Sequence, residues 1–157
     1  MTGPKSIDRH LVFSLGSEEY SVSLLSIKEV IEIPDITPLP HVPPYYLGIM
    51  NLRGQVISII DLNHKLKGKQ QEQGKKNAVI ILDFAEFCLG ILVQSVNRVM
   101  SIANDEVRDR PMMETTENLD YIQGVVHRDK KMVMLLDAHK ALNVPEPEKS
   151  NGITFDL

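Results

Sequence analysis

What most limits how this chain can fold is an internal repeat. Residues 13–33 align without gaps on residues 82–102, an offset of 69, so that Val22 meets Ile91, Leu24 meets Val93, Ile27 meets Val96 and Val30 meets Val99. Residues 45–66 align on residues 121–142 at an offset of 76. There Tyr45 meets Tyr121, Gly48 meets Gly124, Ile59-Ile60 meets Leu135-Leu136 and Asp61 meets Asp137. Two blocks in the same order, both closing on Asp and a short helical pattern, mark a duplication whose second copy has a connector seven residues longer.

Each half carries the signals of about five short strands. Residues 11–15 and 20–22 alternate around a turn at 16–19, residues 24–27 suit one helical turn, and residues 29–33 are rich in β-branched side chains. Five prolines between 34 and 44 forbid regular helix and stiffen an extended connector. Residues 62–66 form a short helix, and 67–77, polar with two glycines, form an exposed loop. A five-stranded sheet leaves two bare edges unless it closes. The expectation is all-β: two small barrels in tandem with an apolar layer between them, flanked by flexible tails at 1–9 and 144–157.

Residues 48–61 form the sharpest local pattern. Two β-rich arms, ending in Ile49-Met50 and resuming at Val56, flank a break at Asn51-Leu52-Arg53-Gly54, which is a hairpin signal. Gly54 supplies a cheap positive φ, and Arg53 stands at or near the tip with no charge partner close in sequence. The second hairpin has Asp129 at the matching position, so the repeat does not need Arg there to fold. A solvated surface Arg and an interaction hot spot both fit this pattern.

Little catalytic or cofactor chemistry is encoded. The net charge of −4 and the lack of a dense basic run remove the electrostatic footprint of nucleic-acid binding. The five histidines have no ligand spacing, and phosphate-cradling, zinc and nucleophile-elbow motifs are absent, so no metal, cofactor or catalytic set is expected. Cys88, the single cysteine, sits in an apolar run and reads as a buried, inert thiol of a reducing compartment. Asp61 and Asp137 read as helix N-caps, His139 as a solvated helix residue, and the Met112-Met113 and Met132/Met134 pairs as flexible core. No apolar stretch reaches the ~18 residues of a membrane span, and a cytoplasmic location is the default.

Taken together, Glu19-Tyr20-Ser21-Val22, Ile27-Lys28-Glu29-Val30, Pro43-Pro44-Tyr45, the stretch 48–61, Gly90-Ile91-Leu92-Val93 and Leu135-Leu136-Asp137 resemble the CheW family of bacterial chemotaxis coupling proteins, over about residues 10–143. The resemblance implies two intertwined five-stranded SH3-like barrels and a non-catalytic adaptor. Such proteins bridge transmembrane chemoreceptors to the regulatory domain of the histidine kinase CheA, without entering the membrane. Arg53 matches the family's receptor-contact hairpin, and Glu29, Gly48, Gly90 and Val99 match positions around a groove between barrels that takes the receptor's cytoplasmic tip. Leu11, Leu24 and Ile27 resemble the apolar end of the first barrel that meets the kinase. The chain departs from the family at Pro38-Leu39-Pro40, where a basic residue is common. A CheW-like scaffold in a non-flagellar receptor–kinase array is the alternative, followed by a small-ligand-binding barrel, although barrels of this size usually fill with their own side chains.

Overall fold

The structure is a computed structural model that describes residues 6–110 and 119–144. Among these residues are ten strands: β1 Ile7–Leu15, β2 Glu18–Ser23, β3 Ile27–Glu32, β4 Tyr46–Leu52, β5 Gln55–Asp61, β6 Ala78–Asp83, β7 Cys88–Val93, β8 Ser95–Ala103, β9 Ile122–Arg128 and β10 Lys131–Leu136. Two short helices, α1 Leu62–Lys67 and α2 Ala138–Ala141, follow β5 and β10. Single 3₁₀ turns at Leu24–Ser26 and Asn104–Glu106 follow β2 and β8. β1 begins earlier than the sequence pattern suggests: Ile7 pairs with Ala103, which draws residues assigned to the N-terminal tail into the sheet. At the other end Val144 packs on the core and its N–H donates to the His139 carbonyl. The rest of the expected tails, and Met112-Met113, lie outside the described residues.

The strands form two five-stranded sheets, ordered β8-β1-β2-β10-β9 (barrel I) and β3-β6-β7-β5-β4 (barrel II). Replacing each strand by its copy in the other half converts one order into the other. The parallel pair β10–β2 matches Met134 to Tyr20 and Leu135 to Ser21. Shifted by the two offsets, the same register pairs Ser58 with Leu89 and Ile59 with Gly90 in β5–β7. The duplication is therefore structural as well as sequential. The tandem arrangement is not what forms, however. β1 and β2 of the first half pair with strands of the second half, while β6 and β7 of the second half complete the sheet of the first. The barrels are intertwined by an exchange of hairpins. Two copies with the same pattern offer each hairpin the same pairing edge, so local sequence does not say which copy supplies it.

Both faces of the central strands are buried, which gives three apolar layers. Val12, Met100, Ile102, Val126, Val133 and Leu135 fill barrel I, and Met50, Ile57, Ile59, Val79, Ile81 and Leu92 fill barrel II. Between them lies a larger shared layer to which β1 gives Leu11, Phe13 and Leu15, β6 gives Ile80 and Leu82, and β7 gives Leu89, Ile91 and Val93. Alternation with period 2 sends neighbouring residues of one strand to different layers. Barrel interiors packed in this way leave the ligand-binding barrel without its premise.

The two aspartates act as caps. Asp61 Oδ1 accepts from His64 N–H at 3.1 Å, and Asp137 Oδ1 accepts from Lys140 N–H at 3.2 Å. Asp61 does more, since its Oδ2 accepts the buried Gln71 N–H at 2.8 Å. This bond buries Gln71 within what the sequence suggests is an exposed loop. His139 is not simply solvated either; its ring meets Phe84 edge-on at 5.1 Å. Cys88, at the start of β7 beside an exposed turn, is half-buried where the sequence suggests full burial.

Candidate interaction surfaces

β4 and β5 are joined by a two-residue turn in which both Arg53 (φ 51) and Gly54 (φ 88) are left-handed. Two such residues in succession make the turn whose twist matches that of the strands it joins. Gly54 adopts this conformation freely, whereas a side chain there costs Arg53 roughly 1 kcal/mol. Asn51 Oδ1 steadies the turn by accepting the Gly54 N–H at 2.8 Å.

Arg53 has a partner that lies far away in sequence. Its Nη1 donates to Glu29 Oε2 at 2.7 Å and its Nη2 to Oε1 at 3.2 Å, a planar fork across the seam between the β4–β5 turn and edge strand β3. The Arg53 side chain nevertheless stays 72% exposed. The fork holds the Glu29 carboxyl below its ordinary range and raises the guanidinium further. Next to this fork, Lys28 Nζ donates to Gln55 Oε1 at 3.4 Å and bridges the same seam. The charge therefore stands fixed and solvent-facing on a rigid hairpin.

The other expected contact residues fall into two kinds. Val99 lies on β8 opposite Leu11 and is 54% exposed. Gly48 and Gly90 are buried. A Cβ on Gly48, at φ 143, would collide with the Thr37 carbonyl, which accepts the Ile49 N–H at 2.9 Å. A Cβ on Gly90 would stand 2.6 Å from Ile59 Cδ1 and 2.9 Å from Val79 Cγ1. Both glycines allow close approach inside the fold and present nothing outward.

Leu11, Leu24 and Ile27 likewise divide. Leu11 is buried in the shared layer, and Leu24 and Ile27 are half-buried against it. The residue that faces water is Leu25, 88% exposed in the 3₁₀ turn between them. The apolar pattern of the sequence does not single it out, although the three-residue period of such a turn puts 24 and 27 on one side and leaves 25 on another. Ser23 Oγ caps the turn by accepting the Leu25 N–H at 3.3 Å.

Among the described residues no group of three or more His, Cys, Asp or Glu side chains is placed to hold a metal ion. No helix among them is long and apolar enough to cross a membrane.

These features are those of a known family. Residues 9–146 match the CheW-like domain. The chain is 32% identical to a chemotaxis protein CheW of Treponema pallidum, over 88% of this chain and 84% of that protein. It is 31% identical to that of Klebsiella aerogenes, over 87% and 82%. In three dimensions it resembles the scaffolding protein TtCheW of Thermoanaerobacter tengcongensis with a TM-score of 0.80 at 28% identity, covering 92% of this chain and 98% of that one. Intertwined barrels, an outward arginine on a latched hairpin and these relatives together place the chain in the CheW-like family of chemotaxis coupling proteins.

Proposed function

We propose that this protein is a non-catalytic cytoplasmic adaptor that couples the cytoplasmic tip of chemoreceptors to the regulatory domain of a CheA-type histidine kinase, within membrane-associated receptor arrays. The observation that carries this reading is Arg53, which is held outward at the tip of a rigid hairpin by a fork to Glu29. Two of its five N–H donors serve Glu29, and the others remain for a partner's acceptors. Arg53, Glu29 and Val99 are the receptor-facing residues, and Gly48 and Gly90 set the close packing beneath them. The kinase face is the turn at residues 24–26 with Ile27. Leu25 is its exposed apolar anchor, while Leu24 and Leu11 form its foundation. Residues 10–143 act as one coupling unit.

Coupling of this kind needs no reaction. Holding two partners on one small rigid body raises the concentration of each at the other and fixes their geometry. β3 is the strut, because Ile27 at its start adjoins the kinase turn and Glu29, two residues on, grips the receptor hairpin. A signal passes only if a contact differs in free energy between kinase states.

The test is a calorimetric titration of the full chain against each partner from the same cell. Arg53→Ala is expected to abolish measurable receptor binding and leave kinase binding and folding intact, and Leu25→Glu to do the converse. Loss of both by either variant in a folded protein would refute the assignment of separate faces.

A further inference from the structure

The two barrels treat equivalent seams differently. The offsets carry Glu29 to Arg98 and Arg53 to Asp129, so both members of the bridging pair change sign in the other half. The turn backbone is the same kind, with Asp129 at φ 53 and Lys130 at φ 62. Yet the bridge is not made. Arg98 turns instead to Glu19, donating from Nη1 at 2.7 Å and Nη2 at 3.1 Å, and Asn97 Nδ2 donates to the same carboxylate at 2.8 Å. Asp129 acts on Arg98 only through space.

Barrel I therefore lacks the fork that latches barrel II, and its seam is crossed instead where Arg128 Nη2 donates to the Ser101 carbonyl at 2.9 Å. Beside this crossing is a cleft of about 380 Å³ between β8, residues 98–101, and the β9–β10 turn, which contributes Arg128, Asp129 and Lys131. Its apolar patch is the exposed Val99. Three cations and one carboxylate line it, in a chain whose net charge is −4. Arg128 is engaged with Glu106 and the Ser101 carbonyl. Arg98 has spent two of its five donors on Glu19. Lys131 makes no ion pair among the described residues and acts on Glu19 through space.

We propose that this cation-lined cleft is a docking site for an acidic side chain carried on a helix of the receptor-type partner, with an apolar neighbour one turn along. The carboxylate is received between Lys131 and the remaining donors of Arg98, and the apolar neighbour rests on Val99. Charge complementarity favours an acidic occupant, and residues one helical turn apart share a face. Val99 belongs both to this cleft and to the proposed receptor-facing set. The inference rests on the receptor-coupling reading and adds a second anchor, remote in sequence from Arg53, which sets which receptors are accepted.

The experiment titrates the full chain with the soluble cytoplasmic fragment of a chemoreceptor from the same cell. Lys131→Glu is expected to raise Kd by about tenfold or more, as loss and reversal of one interfacial charge does. Lys131→Arg should bind as wild type does. Lys130→Glu, in the same turn but outside the cleft, should change Kd less than about twofold, as a rim charge does. Wild-type affinity in Lys131→Glu, with binding lost in Arg53→Ala, would overturn the cleft and leave the coupling reading standing. No binding by the wild-type chain would overturn both. Loss of kinase binding by Lys131→Glu would assign Lys131 to the fold and likewise overturn the proposal.

Discussion

Gly90 offers the clearest way to tell a contact residue from a supporting one. It sits on β7 opposite Ile59 in the parallel pair and opposite Ile81 in the antiparallel pair, with its missing side chain directed at the interior of barrel II. In Gly90→Ala the new methyl would lie 2.6 Å from Ile59 Cδ1, 2.9 Å from Val79 Cγ1 and 3.3 Å from Ile81 Cδ1. Carbon atoms prefer about 3.5–4.0 Å, so the closest neighbour must retreat by about 1 Å. Overpacking of this kind costs about 1–3 kcal/mol, offset by the roughly 0.5–1 kcal/mol that a strand gains when Gly becomes Ala. The net expectation is a loss of about 1–2 kcal/mol, seen in urea as a lower midpoint at unchanged slope. Ile59→Val deletes the offending Cδ1 and by itself costs about 0.5–1.5 kcal/mol. The double variant should be less destabilised than the sum of the two by about 1 kcal/mol, because the residues touch. Receptor and kinase affinity per folded molecule should stay at wild-type values in all three. Unchanged stability in Gly90→Ala with receptor affinity lost, or strict additivity in the double variant, would refute the packing argument and return Gly90 to the interface.

Other consequences of the structure can be measured in the same way. Asp61→Ala leaves both His64 N–H and the buried Gln71 N–H without an acceptor, so it should cost about 2–4 kcal/mol in urea unfolding, against about 1 kcal/mol for Asp137→Ala, which loses a cap alone. Glu19 is held below the ordinary carboxylate range, first by the Arg98 fork and also by Asn97. A depressed carboxylate adds stability above its unfolded pKa that disappears as pH falls through the folded value. From pH 4.5 downward the wild type should therefore lose more urea resistance than Glu19→Gln, and parallel pH profiles would contradict the pairing. Ile57→Ala, in the filled interior of barrel II, should destabilise by about 2–5 kcal/mol. A change under 1 kcal/mol in thermal or urea unfolding would show that the barrel is not a packed core.

Much of this architecture was legible because it repeats. Strand positions, the caps at Asp61 and Asp137 and the break at Arg53-Gly54 follow from period-2 alternation and turn chemistry, both local in sequence. The two offsets even give the registers Ile59 to Gly90 and Leu135 to Ser21 once the pairing strands are known. The exchange of hairpins was hidden from the residue patterns, since β2 and β7 present equivalent edges, and only the family resemblance indicated intertwining. Side-chain partners across a seam were hidden as well. Glu29 and Arg53 are 24 residues apart, and Glu19 and Arg98 are 79 apart. Neither spacing carries any periodic signal. Leu25 carries no sequence signal of its own, because an exposed Leu reads like its buried neighbours until the 3₁₀ turn sets its direction.

Bridging requires that one small body hold two partners at once. Sedimentation velocity on the full chain mixed with a soluble receptor fragment and the kinase regulatory domain tests it most directly. A ternary species heavier than either binary complex, lost on Arg53→Ala while the chain–kinase complex persists, is the predicted result. Displacement of one partner by the other, with no species containing all three, would mean that the faces overlap and that the chain does not bridge.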